Sequence, residues 1–107
     1  MGMKPLVRPK LRRPKQSASP ASALFTVTQQ RVLALLFGQP ERSYYATELI
    51  RLTGSGSGAV QRELARLAQS GLVTVRPVGN QKHYQADPDS PLFDELRSIV
   101  QKVMRFA

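Results

Sequence analysis

A chain of 107 residues is long enough for one domain with a single hydrophobic core, and it leaves no room for a two-lobed enzyme. Its 16 Lys and Arg against 7 Asp and Glu give a net charge of +9, which favours a polyanionic partner such as nucleic acid or an acidic membrane surface. The absence of cysteine excludes disulfides and thiolate chemistry, and no apolar run approaches the roughly 20 residues that span a bilayer.

Residues 1–22 differ in composition from the rest of the chain. Four prolines disfavour regular structure, and the first fifteen residues carry six basic and no acidic side chains. We therefore expect a disordered or extended basic arm over 1–22, which attracts phosphates or enters a minor groove, ahead of a folded domain over 23–107. Because the arm lacks the apolar stretch of a secretory signal, we expect the protein in the cytosol or on the nucleoid. A solubilising tail is the alternative; the basic residues are Lys4, Arg8, Lys10, Arg12, Arg13 and Lys15.

Thr26 and Gln29 match a capping box and predict a helix that begins there and ends at Gly38. This helix is apolar over more than half of its circumference, so we expect it to be covered on two sides, by the core and by a second surface. Residues 43–45 then predict a short extended segment, and its paired tyrosines are expected to pack in the core and at its edge.

Two further helices are predicted on either side of a Gly-Ser run. The first is Ala46 to Thr53, with Leu49, Ile50 and Leu52 facing inward. Residues 54–58 relax the backbone for a tight turn, and their serines can accept from the free N–H groups of a helix start. The next helix begins between residues 55 and 57 and stops at Gly71. Helices joined by so short a turn cross sharply, which is a helix-turn-helix.

The second of these helices has one apolar and one polar face. Its apolar stripe consists of Val60, Leu64, Leu67 and Ala68. The opposite side carries Arg and Gln, whose forked donors and acceptors match guanine and adenine edges in the major groove, so double-stranded DNA is the predicted partner. A solvated helix face is the alternative. The predicted base contacts are Ser57, Gln61 and Arg62, and Glu63 is expected to pair with Arg66 or another nearby cation.

Two strands are predicted at Leu72 to Arg76 and Gln81 to Gln85, joined by a turn at 77–80. The tip of this hairpin contains no acid, which suits a loop on the DNA backbone or in the minor groove. The predicted contacts to the DNA backbone and from the hairpin, or wing, are Ser55, Arg66, Arg76, Asn80, Gln81, Lys82 and His83. A lone histidine is not a metal site, and we predict no metal and no cofactor.

A last helix is predicted with Ser90 as its cap and Pro91 at its first position. Its apolar stripe and the surplus apolar face of the first helix together exceed what one small core absorbs, so we predict a homodimer. The predicted interface consists of Leu33, Phe37, Leu92, Phe93, Leu96, Ile99, Val100 and Val103.

The order of these elements, with the segments 45–53, 58–67 and 70–73, resembles the winged helix-turn-helix regulators of bacteria, of the ArsR-like and MarR-like kind. The likeness runs from Thr26 to about Val103. It is greatest to small ArsR-like domains that often precede a minimal nucleotidyltransferase, in which segments like 79–84 and 93–96 are also typical. The resemblance implies a mainly α fold with a small β-hairpin (α+β) and dimeric operator binding, with the third helix in the major groove. The chain lacks the Gly-Ser and paired-aspartate motif of nucleotidyl transfer, and it lacks the cysteines of metal-sensing members. The resemblance therefore implies neither nucleotidyl transfer nor metal sensing for this chain.

The sequence thus predicts a sequence-specific DNA-binding transcriptional regulator, acting as a dimeric repressor. The main alternative is a winged-helix protein-interaction module, such as an antitoxin or an assembly factor, whose arm binds an acidic partner. RNA binding by the arm is a weaker alternative because no set of exposed aromatics for base stacking is present. An enzyme is least supported, since the chain has no cysteine, one histidine and scattered acids. The operator and any small effector stay open.

Overall fold

A computed structural model describes residues 19–104 of the protein. Helices and strands follow one another as α1 (Pro20–Leu24), α2 (Val27–Gly38), β1 (Tyr44–Tyr45), α3 (Ala46–Thr53), α4 (Ser57–Gln69), β2 (Val73–Val78), β3 (Gln81–Ala86) and α5 (Phe93–Val103). The strands form one antiparallel sheet in the order β1-β3-β2. This mainly helical architecture with a small antiparallel sheet confirms the predicted fold class.

The helix α2 forms the centre of the core. Its capping box is present: the Thr26 hydroxyl accepts from the Gln29 N–H at 3.1 Å, and the Gln29 side-chain oxygen accepts from the Thr26 N–H at 2.9 Å. Val32 and Leu36 are completely buried. The helices α3 and α4 pack against α2, and so does α5, so both of its apolar sides are covered within one chain.

This intrachain packing corrects part of the predicted dimer interface. Leu33, Phe37 and Val100 are only 2%, 0% and 4% exposed, because α2 and α5 cover each other. The rings of Phe37 and Phe93 lie 6.1 Å apart between centroids. Phe93, with Leu96 and Ile99, is partly buried against the same core. The interface prediction is therefore wrong for the three buried residues, and the large exposed side chains that remain from the predicted set are Leu92 and Val103.

The predicted arm extends too far along the chain. Residues 20–22 belong to the helix α1, in which the Ser19 hydroxyl accepts from the Ser22 N–H at 3.1 Å. Pro20 lies in the first turn, where the N–H group it lacks is not needed. Ala21 is 2% exposed and belongs to the core. The prediction of a disordered or extended arm is wrong for 20–22, and the six basic arm residues lie outside the described part of the chain.

The helix α3 presents a different inward face from the predicted one. Leu49 is completely buried and Ile50 is partly buried, as expected, but Leu52 is 41% exposed. Thr53 is buried instead, because residues four apart share a helix face and Thr53 follows Leu49 by four. The prediction that Leu52 faces inward is therefore wrong.

Thr53 also holds the turn between α3 and α4. Its hydroxyl donates to the Leu49 carbonyl at 2.6 Å and accepts from the Ser55 N–H at 3.2 Å. A guanidinium nitrogen of Arg31, on α2, donates to the Thr53 carbonyl at 3.2 Å. Gly54 then ends α3 in the left-handed region, with φ of 67°. These contacts set the position from which α4 begins.

The end of α4 leads directly into the sheet. Gly71 has φ of 77°, its N–H donates to the Ala68 carbonyl at 3.2 Å, and the Leu72 N–H donates to the Leu67 carbonyl at 3.0 Å. This pair of bonds is a Schellman motif, which satisfies carbonyls that a helix end leaves free. The predicted stop of the helix at Gly71 is confirmed.

The hairpin strands β2 and β3 are longer than predicted, and the turn shrinks to Gly79 and Asn80. Gly79 has φ of 61°, which suits a two-residue hairpin turn. Pro77 can lie within β2, opposite Lys82, because β2 is an edge strand. The third strand, β1, was predicted as an extended segment, and it pairs Tyr44 with Tyr84 across the sheet.

The helix α5 begins at Phe93, two residues later than the predicted start at Pro91. The Ser90 hydroxyl accepts from the Leu92 N–H at 3.3 Å, and the Ser90 carbonyl accepts from the Phe93 N–H at 3.1 Å. Ser90 therefore closes a turn ahead of the helix instead of capping the helix itself.

The left-handed conformation at Gly54 generates a stability prediction. Gly54→Ala should lower the free energy of unfolding by about 1–2 kcal/mol, because a β-carbon disfavours the left-handed region. Gly38→Ala is the matched control, since Gly38 has an ordinary φ and open space around its α-carbon. It should leave stability unchanged or raise it by up to about 1 kcal/mol. Equal destabilisation of both variants in urea unfolding would contradict this account of the turn.

Glu48 generates a pH prediction at the start of α3. Its carboxylate accepts from the Tyr45 N–H at 2.9 Å and from Arg42 at 3.2 Å. The backbone hydrogen bond, and then Arg42, hold the pKa of Glu48 below its ordinary value. A carboxyl with a lowered folded-state pKa stabilises the fold above its unfolded pKa, about 4.3, and that stabilisation is lost as the pH falls through the folded pKa.

Glu48→Gln should therefore lower the free energy of unfolding at pH 7 and reduce its loss between pH 7 and pH 3. Urea unfolding at the two pH values measures both effects. Glu41→Gln, a nearby exposed change of the same charge, serves as the control. An equal pH dependence in wild type and Glu48→Gln would refute the role of this cap.

Candidate nucleic-acid interface

The helix α4 is buried on one face and exposed on the other. Val60, Leu64 and Leu67 are at most 1% exposed and anchor the helix in the core. The helical period of 3.6 residues then places a polar stripe on the opposite face. The exposed residues of that stripe are Ser57, Gln61, Arg62, Arg66 and Gln69. All three predicted base-contact residues, Ser57, Gln61 and Arg62, therefore face solvent.

Arg62 is free of ion pairs and hydrogen bonds to the other described side chains. A guanidinium nitrogen of Arg62 lies 3.4 Å from the point where a β-carbon on residue 58 would lie. The guanidinium thus lies against the first turn of α4, where Gly58 leaves room for it. An exposed arginine without a partner keeps all five of its N–H donors available.

Arg66, one turn further along, is bound to a neighbour. Its Nε donates to Glu63 Oε1 at 3.1 Å, and one Nη donates to Glu63 Oε2. The hydrogen bonds that Arg66 donates to Glu63 raise the pKa of the Arg66 guanidinium. The predicted pairing of Glu63 with Arg66 is confirmed. The phosphate contact of Arg66 stays a prediction, and it would use the donors that Glu63 does not occupy.

The amino end of α4 has no side-chain cap. Gly56 is the N-cap residue, and the neighbouring serines do not accept from the first turn as the sequence suggested. Ser55 is half-buried, and its own N–H donates to Thr53. A helix begins here nonetheless, because the turn before it is held by Thr53 and Arg31.

The wing exposes most of its predicted contact residues. Arg76, Asn80, Gln81 and Lys82 are exposed on β2, on β3 and in the turn between these strands. The wing follows α4 directly in the chain, because only residues 70–72 separate that helix from β2. The described positions of these four residues are compatible with their predicted role.

His83 is the exception. Its Nδ1 lies 3.1 Å from the Ser43 hydroxyl, and its ring meets the Tyr45 ring edge-on, with 4.0 Å between centroids. Its Nε2 is buried without a hydrogen-bond partner. Both nitrogens are turned toward the protein, so the predicted contact of His83 with the DNA backbone is wrong for this conformation. The side chain instead helps to fasten β3 to β1.

Charge is distributed unevenly along the described residues. The span 57–86 contains Arg62, Arg66, Arg76 and Lys82 but one acid, Glu63. The other six acids lie within 41–48 and 87–95. The helix α4 and the wing therefore form a positive segment.

Within residues 19–104, no three acidic or histidine side chains are grouped as a metal ion requires, and no helix is long and apolar enough to cross a bilayer.

Sequence reasoning missed two features of this surface. Arg31 supports the turn before α4 from a distance of 22 residues in the chain, and no local pattern indicates such a contact. Thr26 and Thr28, in and beside the first turn of α2, line an open groove with Arg62, Glu63 and Arg66 of α4. The apolar positions on both helices could have indicated that they pack together, but not which polar residues meet at the edge.

Three helices that pack around α2, a sharp turn before α4, and a two-stranded wing directly after it form a recognisable arrangement. The chain has the winged helix-turn-helix fold. No protein-family model and no curated protein matches it. Solved structures do match, and they have the same fold.

A predicted DNA-binding transcriptional regulator from E. coli is 25% identical, with a TM-score of 0.55 over 76% of this chain and 82% of that one. A homodimeric winged helix-turn-helix DNA-binding domain from Mycobacterium bovis, a possible ArsR-family transcriptional regulator, is 19% identical, with a TM-score of 0.52 over 82% of this chain and 87% of that one. A HOP2 chain, from work on DNA recognition, protein interaction and homologous DNA pairing, is 33% identical, with a TM-score of 0.50 over 56% of this chain and 98% of that one.

These neighbours include winged helix-turn-helix transcriptional regulators, with an ArsR-family candidate among them. The Mycobacterium bovis domain is DNA-binding, and the E. coli protein is a predicted DNA-binding regulator. At 19% identity the Mycobacterium bovis domain shows the shared fold alone.

Proposed function

We propose that this protein is a transcriptional regulator that binds double-stranded DNA, with the exposed face of α4 in the major groove and the wing on the DNA backbone. The proposal rests on the solvent exposure of Gln61 and Arg62 and on their hydrogen-bonding groups, which no other described side chain occupies. Both are exposed, and neither is hydrogen-bonded to another described side chain, while the opposite face of their helix is locked in the core.

The chemistry of these side chains suits base recognition. The major groove admits one α-helix, arginine can donate two hydrogen bonds to guanine O6 and N7, and glutamine can pair with adenine N6 and N7. Arg62 and Gln61 are neighbours on α4, and Ser57 lies one turn earlier on the same face. We assign base contacts to these three residues.

Contacts to the DNA backbone would orient the protein on the duplex. We assign them to Arg76, Asn80, Gln81 and Lys82 of the wing, with Ser55 and Arg66 beside the reading face. The six basic residues before position 16 would add sequence-independent attraction, because each neutralised phosphate releases counterions. A protein that binds DNA in this way would work on the nucleoid.

The regulatory role is supported by the likeness to the E. coli regulator. We propose repression, since a small domain can block transcription by occupying an operator. The HOP2 likeness favours a second candidate, DNA recognition for homologous pairing. Selection of bound fragments from a genomic library separates the two, because a regulator enriches a shared motif and a general DNA-pairing protein does not.

We also propose a homodimer. Leu92 is 51% exposed and Val103 is 36% exposed at opposite ends of α5, a helix whose other apolar side chains pack against the core. The Mycobacterium bovis domain of this fold is homodimeric. A second copy that covers the free edge of α5 would place two α4 helices on one duplex.

Substitutions on α4 and the wing test the assignment of roles. Arg62→Ala should weaken binding to a selected duplex by about 1–3 kcal/mol and relax the preference at one base pair. Lys82→Ala should weaken selected and random duplexes alike, and it should flatten the dependence of affinity on salt concentration. Fluorescence anisotropy at several salt concentrations measures both effects.

Lys102→Ala is the matched control, because Lys102 is an exposed basic residue on α5. It removes the same charge away from the proposed interface, so both duplexes should bind as they do to wild type. If Arg62→Ala and Lys82→Ala reduce binding to selected and random duplexes equally, the separation of base and backbone contacts is wrong.

The proposed dimer has its own test. Leu92→Glu should shift the protein from dimer to monomer in sedimentation equilibrium, because it places a charge in an apolar contact. Val78→Glu changes a residue of similar exposure on the wing and should leave the dimer intact. A monomeric wild type at micromolar concentration would exclude the dimer.

A further inference from the structure

Glu63 is a buried acid on the helix that we assign to the major groove. It is 6% exposed, and the other six acids of the chain lie outside α4 and the wing. A buried carboxylate is unfavourable unless it is paired and hydrogen-bonded. Arg66 supplies both requirements through two nitrogens of its guanidinium.

The ion pair fixes the orientation of Arg66 but leaves its side chain accessible to solvent. Its side chain is 53% exposed, so it can still reach a ligand in solvent. Two of its nitrogens donate to Glu63, which fixes the plane of the guanidinium and leaves the second Nη without a hydrogen bond to any other described residue. Arg62, one turn earlier, has no such partner among the described residues. The exposed face of α4 thus carries one arginine held by Glu63, which we call tethered, and one arginine without a partner among the described residues.

Tethering affects the two kinds of DNA binding differently. Attraction to any duplex depends on the net charge brought to the phosphates, and it grows with the number of phosphates that the protein neutralises. An arginine whose charge is balanced by a carboxylate adds little to that attraction. Its remaining N–H groups can still donate to one phosphate when the helix is in the correct register.

The position of the carboxylate adds to this effect. Glu63 lines the groove between α4 and the first turn of α2, together with Arg62 and Thr26. The carboxylate offsets one of the two arginine charges at this groove, so the groove attracts a phosphate less strongly than two unpaired arginines would.

We propose that Glu63 is a specificity-determining residue, which holds Arg66 in one orientation and cancels its charge so that binding to non-specific DNA is suppressed. This inference rests on the proposed function, because it assumes that α4 faces DNA. It assigns to a buried acid a role in sequence discrimination in addition to its place in the fold.

Glu63→Gln tests this role with little change in shape. The amide that replaces the carboxylate would keep one acceptor for Arg66 but release the charge of the guanidinium. We expect several-fold tighter binding to a labelled random duplex and a slope of log affinity against log salt that is steeper by about 0.9, the contribution of one more neutralised phosphate. The ratio of affinities for a selected and a random duplex should fall.

Two further variants serve as controls. Glu41→Gln makes the same charge change at an exposed residue away from α4, and its salt slope should equal that of wild type. The double variant Glu63→Gln with Arg66→Gln removes both charges, so its slope for random DNA should return to the wild-type value. Melting temperatures of all variants show which of them are folded at the temperature of the binding assay.

The outcomes distinguish a failure of the inference about Glu63 from a failure of the proposed function. If wild type prefers the selected duplex but Glu63→Gln changes neither the salt slope nor the affinity ratio, Glu63 has a structural role alone and the inference is overturned. A lower melting temperature with unchanged binding has the same meaning. If wild type binds selected and random duplexes equally, the proposed function fails, and the inference fails with it.

Discussion

The geometry of the candidate interface depends on the hydrogen bonds of Thr53. Its hydroxyl joins the last turn of α3 to the Ser55 N–H, and its carbonyl accepts from Arg31 of α2. Three segments that could otherwise move independently are thereby fixed relative to one another. Gly54 makes the change of direction possible, because its left-handed conformation carries no steric penalty for glycine. The orientation of α4, and hence of everything on its exposed face, follows from this junction.

Given that orientation, the remaining properties of the surface follow from α4 and the sheet. The buried stripe of α4 prevents the helix from rotating, so its polar face has one presentation to solvent. The Schellman motif at Gly71 turns the chain at once into β2, which keeps the wing close to α4. Positive charge is therefore concentrated on one continuous segment. Within that segment, Glu63 is ion-paired with Arg66, whereas Arg62 has no ion pair among the described residues.

Features set by a few neighbouring residues could be predicted from the sequence. The capping box at Thr26, the stop at Gly71 and the two faces of α4 are of this kind, since each depends on contacts within one or two helical turns. The contact of Arg31 with Thr53 and the inward turn of His83 depend on residues 22 and 40 positions apart. Likewise, a large apolar face on a helix indicates that something must cover it, but not whether the cover comes from the same chain or from a second copy.

The central claim is that the exposed face of α4 reads DNA. Amide ¹H–¹⁵N spectra of the full chain, recorded while a selected duplex is added, test it most directly because every backbone amide reports on its own surroundings. If α4 reads DNA, the largest shifts fall on residues 55–66 and 76–82, and a random duplex of equal length gives smaller shifts there. Shifts concentrated on α1 and α5, with α4 unchanged, would contradict this claim.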